Sequence, residues 1–234
     1  MSLVPRDHAS RIGWPIRAVR VAGLVSLCIA GIPLLPDAVG ADLGDDNARA
    51  EITAAAHDPA ATYVTALVEE AVPHLLATPG PQRVEALRRL FEEHLDLPAI
   101  ARFAMGRYWR LTEEDERAEF VRLFRELLVQ TSNASLDEYK SEKLRVTETR
   151  PAEGDEVLVR SALRLADGPA VQIDWRLRRE MQRFRIQDVV VEGISVRIVL
   201  RDLFATAIRE KGGTMAALLA AMRDLLPTPA RESR

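Results

Sequence analysis

Residues 156–193 read EVLVRSALRLADGPAVQIDWRLRREMQRFRIQDVVVEG, and their alternation decides the fold. Val171, Ile173, Trp175 and Leu177 fall on one parity, with Gln172, Asp174, Arg176 and Arg178 on the other. A period of two belongs to a strand with one buried and one wet face. Val157, Val159, Ser161, Leu163 and Leu165 repeat the pattern upstream, and Ala166-Asp167-Gly168-Pro169 supplies turn chemistry between the runs. Phe184, Ile186 and Val189 to Val191 make a third run, and Lys143 to Thr149, with Leu144 and Val146 inward, precedes the first. The sequence therefore predicts an antiparallel meander of about four strands with one apolar face. No strand is expected after it, so helices before and after must cover that face.

Helical spacing supplies those helices. Asp58-Pro59 is a start signal, an N-cap aspartate with proline in the first turn. Val64, Leu67, Val68, Ala71 and Leu75 then recur on one face, and Pro73 is expected to bend or end that helix. After the break at Thr78-Pro79-Gly80-Pro81, a second helix runs to about His94, and Asp96-Leu97-Pro98 opens a third towards Gly106 or Trp109. Thr112 with Glu113, Glu114 and Asp115 reads as a hydroxyl cap and an acidic first turn. The helix it starts is the longest, to about Tyr139, and is expected to lay Phe124 and Leu128 across the strand face. Ser195 can cap a helix that ends at Lys211-Gly212-Gly213, and Thr214 a last one stopped by Pro227.

The first 41 residues do not read as fold. Arg6, Arg11, Arg17 and Arg20 precede an apolar run, Val21 to Leu35, which is short for a bilayer span. Val39-Gly40-Ala41 offers small residues where a signal peptidase cuts, so residues 1–41 are expected to be a cleaved export signal. Residues 42–57 are expected to be a loose tether, 58–227 a single domain, and 228–234 a tail. Removing residues 1–41 takes four arginines and two aspartates from a chain of net charge −3, leaving about −5. That balance argues against nucleic acid as a partner. Cys28, the single cysteine, goes with the signal, so the mature chain has neither disulfide nor thiol nucleophile.

Catalytic signals are sparse. His57, His74 and His94 lie far apart, with no metal-ligand spacing, nucleophile elbow or glycine-rich phosphate loop. No metal and no cofactor is expected. Asp174 sits on the wet parity of its strand. Asp188 falls where Ile186 and Val189 break the alternation, as a carboxylate at a bulge would. A helix-and-curved-sheet cone with one inward acid also suits a small isomerase, which keeps Asp188 as the rival, enzymatic hypothesis.

DLPAIARFAMGRYWRLTEEDERAEFVRLFRELLV, from Asp96 to Val129, resembles the core segment of the toluene-tolerance (MlaC) family. Val171 to Leu177 with Arg178, then Asp188-Val189 and Glu192-Gly193-Ile194-Ser195, resemble that family's last strands and the turn after them. Arg201 to Ile208 resembles its penultimate helix. One departure is the last hairpin turn, Arg179-Glu180-Met181-Gln182, which lacks the family's glycine.

Read from periodicity alone, the apolar faces would pack on each other as a solid core. The resemblance implies instead an α+β domain with an apolar cavity between helices and sheet, and phospholipid as its cargo. Implied wall residues are Val64, Leu67 and Ala71, then Phe91 and Phe103, and Phe120, Phe124, Leu127 and Leu128 of the long helix. The sheet would give Val159, Ile173, Trp175, Leu177, Ile186 and Val189, and the following helix Leu203, Phe204 and Ile208. Arg107 and Arg110 would meet lipid head groups or an acidic partner. The resemblance further implies a monomeric periplasmic carrier, without catalysis. It would move phospholipid between an outer-membrane lipoprotein complex and an inner-membrane ABC transporter complex. A hopanoid-related lipid, as in one branch of the family, is the alternative cargo.

Overall fold

The computed structural model describes residues 58–78, 80–136, 141–165, 170–181 and 183–226. The expected signal, tether and tail, the turn at Ala166–Pro169 and Tyr139 lie outside the described residues. Helix α1 (Pro59–Ala66) runs through a π-helical segment, Leu67–Ala71, into α2 (Val72–Ala77). Then come α3 (Gly80–His94), α4 (Leu97–Met105), the short α5 (Arg107–Leu111) and the long α6 (Glu114–Ser135). Strands β1 (Ser141–Pro151), β2 (Glu156–Leu165), β3 (Ala170–Glu180), β4 (Arg183–Val191) and β5 (Ile194–Ser195) form an antiparallel sheet in chain order. Helices α7 (Val196–Glu210) and α8 (Met215–Leu225) follow. The α+β expectation holds, with one correction: a two-residue strand, β5, follows the meander and pairs with Val190 and Val191.

The local causes are visible in the caps. Asp58 accepts from the Ala60 N–H at 2.7 Å, Ser195 Oγ from Ile198 and Thr214 Oγ1 from Ala217. The start of α6 differs from expectation. Its cap is Glu113, whose N–H donates back to the Glu116 carboxylate, while Thr112 Oγ1 donates to the Tyr108 carbonyl. The π segment ends two residues before Pro73, where a regular helix would set the proline ring against a carbonyl one turn earlier. Gly106 ends α4 at φ +52°, and a Cβ there would come within 3.4 Å of Arg201 Nε. At the last hairpin Met181 takes φ +51° in the place of a glycine, with its side chain 96% exposed.

One face of the sheet is apolar and covered. Val159, Leu163, Ile173, Trp175 and Leu177 are buried, whereas the other face carries ion pairs such as Arg160–Asp174 and Arg176–Glu156. Helices α1, α3, α4 and α7 meet the sheet. The long α6 does not take the place expected for it. It packs chiefly against α3, α4 and α8, forming a second layer of helices behind the first. The open edge of β4 is closed by the chain before α4: Leu95 bridges Ile186 in parallel, and Asp96 N–H donates to the Ile186 carbonyl at 2.9 Å.

Candidate functional site: an apolar chamber on the sheet

Between the sheet and the first helices lies a chamber of about 70 Å³. Leu67 and Val68 of the π segment and Val72 of α2 form its roof, with Leu90, Phe91 and His94 of α3 and then Leu95. The floor is Leu144, Leu163, Ile173, Trp175, Ile186 and Val189. Strand pleating sets this floor, because alternate side chains of neighbouring strands share a face: Leu163 lies opposite Val171, and Trp175 opposite Val189. The indole N–H of Trp175 is satisfied below the chamber by Ser161 Oγ at 2.9 Å, and that hydroxyl in turn donates to the Ile173 carbonyl at 3.1 Å. Ser161 on the apolar parity thus keeps a tryptophan usable in a dry wall.

Among the described residues of the lining, His94 carries the one ionisable side chain. Its Nδ1 lies 2.9 Å from Tyr63 Oη, and the two rings are 5.6 Å apart. Burial lowers the His94 pKa from its ordinary value, with Glu93 opposing and Arg185 adding to the shift. Burial likewise pushes the Tyr63 phenol up to about 12, against the pull of Arg185. Both groups are therefore neutral around pH 7, so the chamber holds no charge at that pH.

On the outer side of the same helices is a more open groove of about 390 Å³ between α2 and α3. Leu90 lines both spaces. Ala71 and Glu93 face the groove, and their neighbours Val72 and His94 face the chamber.

Among the eighteen residues implied as lipid contacts, the chamber brings together Leu67, Phe91, Ile173, Trp175, Ile186 and Val189. Ala71 lies on the outer groove. Val64, Val159, Leu177 and Ile208 are fully buried core without facing the chamber. Phe120, Phe124 and Phe204 form one aromatic cluster, with centroids 5.0 Å apart for Phe120–Phe204 and 5.8 Å for Phe124–Phe204. Leu128 is buried in the same hydrophobic core, with Leu127 and Leu203 packed against it. Phe103 is half-buried, with Arg197 stacked 4.4 Å above its ring. The sequence reading missed Val68, Val72, Leu90, His94, Leu95, Leu144 and Leu163 as chamber walls. Leu144 and Leu163 had the right parity, but nothing in one sequence distinguishes chamber from core along a strand.

Arg107 and Arg110 are exposed on α5, apart from the chamber, and Arg107 donates to its neighbour Tyr108 at 3.0 Å. Asp188 is buried beyond a bulge at Gln187, where Arg176 pairs with Asp188 but Leu177 with Ile186. One of its oxygens accepts from Ser195 Oγ at 2.6 Å, and the other from the Arg197 N–H at 3.0 Å; Arg197 Nε adds an ion pair at 3.3 Å. It fastens the start of α7 and does not line the chamber. The bulge also frees Gln187 to donate to Asp96, which caps α4 and pairs with Arg178 at 3.0 Å. Among the described residues no cluster of histidine, cysteine and acids could hold a metal, and no helix is long and apolar enough to cross a membrane.

The site is therefore an apolar chamber between a meander sheet and a roof of helices, with one histidine among its described lining residues. The chain belongs to the MlaC protein family, whose model matches residues 68–224. It is 23% identical over 132 residues to the toluene tolerance protein ttg2D of Pseudomonas putida, a match covering 56% of this chain and 61% of that relative. Its fold is also that of a phospholipid-binding protein from Ralstonia solanacearum, solved with a phospholipid. There the TM-score is 0.53 at 20% identity, over 76% of this chain and 95% of that one.

Proposed function

We propose that this protein is a periplasmic carrier that takes phospholipid acyl chains into the chamber and moves lipid between the outer and inner membranes for an ABC transport system. The observation that carries this reading is the chamber's lining, which is apolar throughout apart from one neutral histidine. The family assignment and the phospholipid held by the Ralstonia protein support it.

The energetics suit the role. Each buried methylene is worth about 0.8 kcal/mol, so two long chains need apolar surroundings worth on the order of 20 kcal/mol outside a membrane. At about 70 Å³ the chamber is smaller than the ~150 Å³ cavity that admits benzene, so its walls must part to accept a chain. The roof is suited to parting, because no residue of the π segment is fully buried. Exchange between matched apolar environments is close to neutral, so direction must come from ATP hydrolysis by a membrane partner. Export on the residue 1–41 signal would bring the chain to the compartment where such a shuttle works.

Catalysis plays no part in this reading, since the oxygens of Asp188 are engaged at the start of α7. The direct test is mass spectrometry of organic extracts from protein purified out of its host. Co-purifying diacyl phospholipid is expected, a hopanoid would redirect the cargo, and protein free of lipid would end the carrier reading.

A further inference from the structure

Resting on the chamber as the acyl site, we propose that the outer groove between α2 and α3 receives a zwitterionic phospholipid head group. Its phosphate would lie on Arg89 and its ammonium on Glu93, with the chains passing the α2–α3 seam into the chamber. The first support is continuity. Leu90 faces both spaces, so at that point the partition between groove and chamber is one side chain thick. An amphiphile lying across Leu90 has hydrocarbon on the dry side and its polar end on the wet side.

The second support is charge. The groove lining carries one arginine, Arg89, and one carboxylate, Glu93, four residues apart on α3 and therefore neighbours on one helix face. Glu93 makes no ion pair among the described residues. Among the described residues Arg89 pairs with Glu85 alone, at 3.4 Å, and its side chain is 69% exposed, so exchanging that partner for a phosphate is inexpensive. A purely anionic head group would satisfy Arg89 but face Glu93, with the exposed Glu69 and Glu70 on the adjoining π segment. A head carrying both charges satisfies both side chains. Arg107 and Arg110 offer only positive charge and line neither space.

The full chain, stripped of lipid, is incubated with vesicles of equimolar phosphatidylethanolamine and phosphatidylglycerol bearing identical acyl chains, and the bound lipid is extracted and quantified. Wild type is expected to favour phosphatidylethanolamine by on the order of threefold, the scale of one exposed ion pair. Glu93→Gln should bring the ratio towards one, and high salt should do the same to wild type. Equal uptake of both lipids by wild type would overturn the head-group assignment and leave the chamber standing. A ratio unmoved in a normally loaded Glu93→Gln protein would do likewise. If wild type takes neither lipid, the chamber reading falls and this one with it.

Discussion

Two apolar regions of this molecule use the same residue types and end differently. Around α6, Phe120, Phe124 and Phe204 meet edge-on or stacked, with Leu128, Leu218 and Met222 buried in the same core. On the sheet, Trp175, Ile173 and Leu163 face Phe91 across a chamber. The helical region has three partners for α6, namely α3, α4 and α8, tied at the rim by charge: Arg88 donates to Glu126 at 2.9 Å and Arg223 to Glu119 at 2.6 Å. These contacts hold both carboxylates below their ordinary pKa, and they raise both arginines. The chamber is roofed by an irregular helix with a π segment and a proline, in which no π residue is fully buried. Hollowness here comes from the partner element and not from the composition of the floor.

The sharpest way to break the comparison is to cut both regions to alanine. Phe120→Ala in the helical region should cost about 3–5 kcal/mol, read from urea unfolding, because Phe120 is 0% exposed and its neighbours cannot collapse. Leu67→Ala in the chamber roof should cost clearly less in lipid-free protein, since part of its contact surface is already missing. Similar losses at the two positions would erase the distinction.

Overpacking sharpens it further. Leu128→Trp should lose about 1–3 kcal/mol in delipidated protein and leave lipid content per folded molecule unchanged, because Leu128 does not face the chamber. Lipid loss from this variant without destabilisation would extend the lipid site into the α6 layer.

Asp188→Asn belongs to neither region and should cost about 1–3 kcal/mol by weakening the fastening of α7, with lipid retention intact. A turnover abolished by this change in a stably folded protein would revive the isomerase reading.

The smallest effect is on pH dependence. His94 has a folded pKa below its unfolded value, so the neutral form is favoured by folding. Its contribution is present above about pH 6.5 and is lost as pH falls below that value towards the folded pKa. A gentle decline in melting temperature below pH 6.5 should therefore flatten in His94→Gln. An unchanged slope would remove the histidine from that account.

Much of the fold was legible because its signals are local. The period of two gave the meander, and the broken alternation at Ile186 and Val189 marked the bulge that the structure sets at Gln187. Ser195 and Thr214 announced their helices by cap chemistry, and Pro73 announced an irregularity without revealing its π form. What the sequence withheld is non-local. The stripe of α6 reads as inward-facing whether it meets the sheet or other helices, which is why Phe124 and Leu128 were set on the strands. The bridge from Leu95 to Ile186 joins residues ninety-one apart with no pattern of their own. A chamber wall such as Leu163 looks like core because a wall and a core residue bury the same side-chain surface.

The central claim, that the chamber on the sheet takes acyl chains, is tested most directly at Leu163. This floor residue is 3% exposed, and tryptophan there would occupy chamber volume. Phospholipid per mole of folded protein is measured for wild type and Leu163→Trp after purification from the host, together with melting curves of delipidated samples. Bound phospholipid is expected in wild type, with a several-fold drop in the variant and a delipidated melting temperature close to wild type. Unchanged lipid content in a folded Leu163→Trp protein would contradict it.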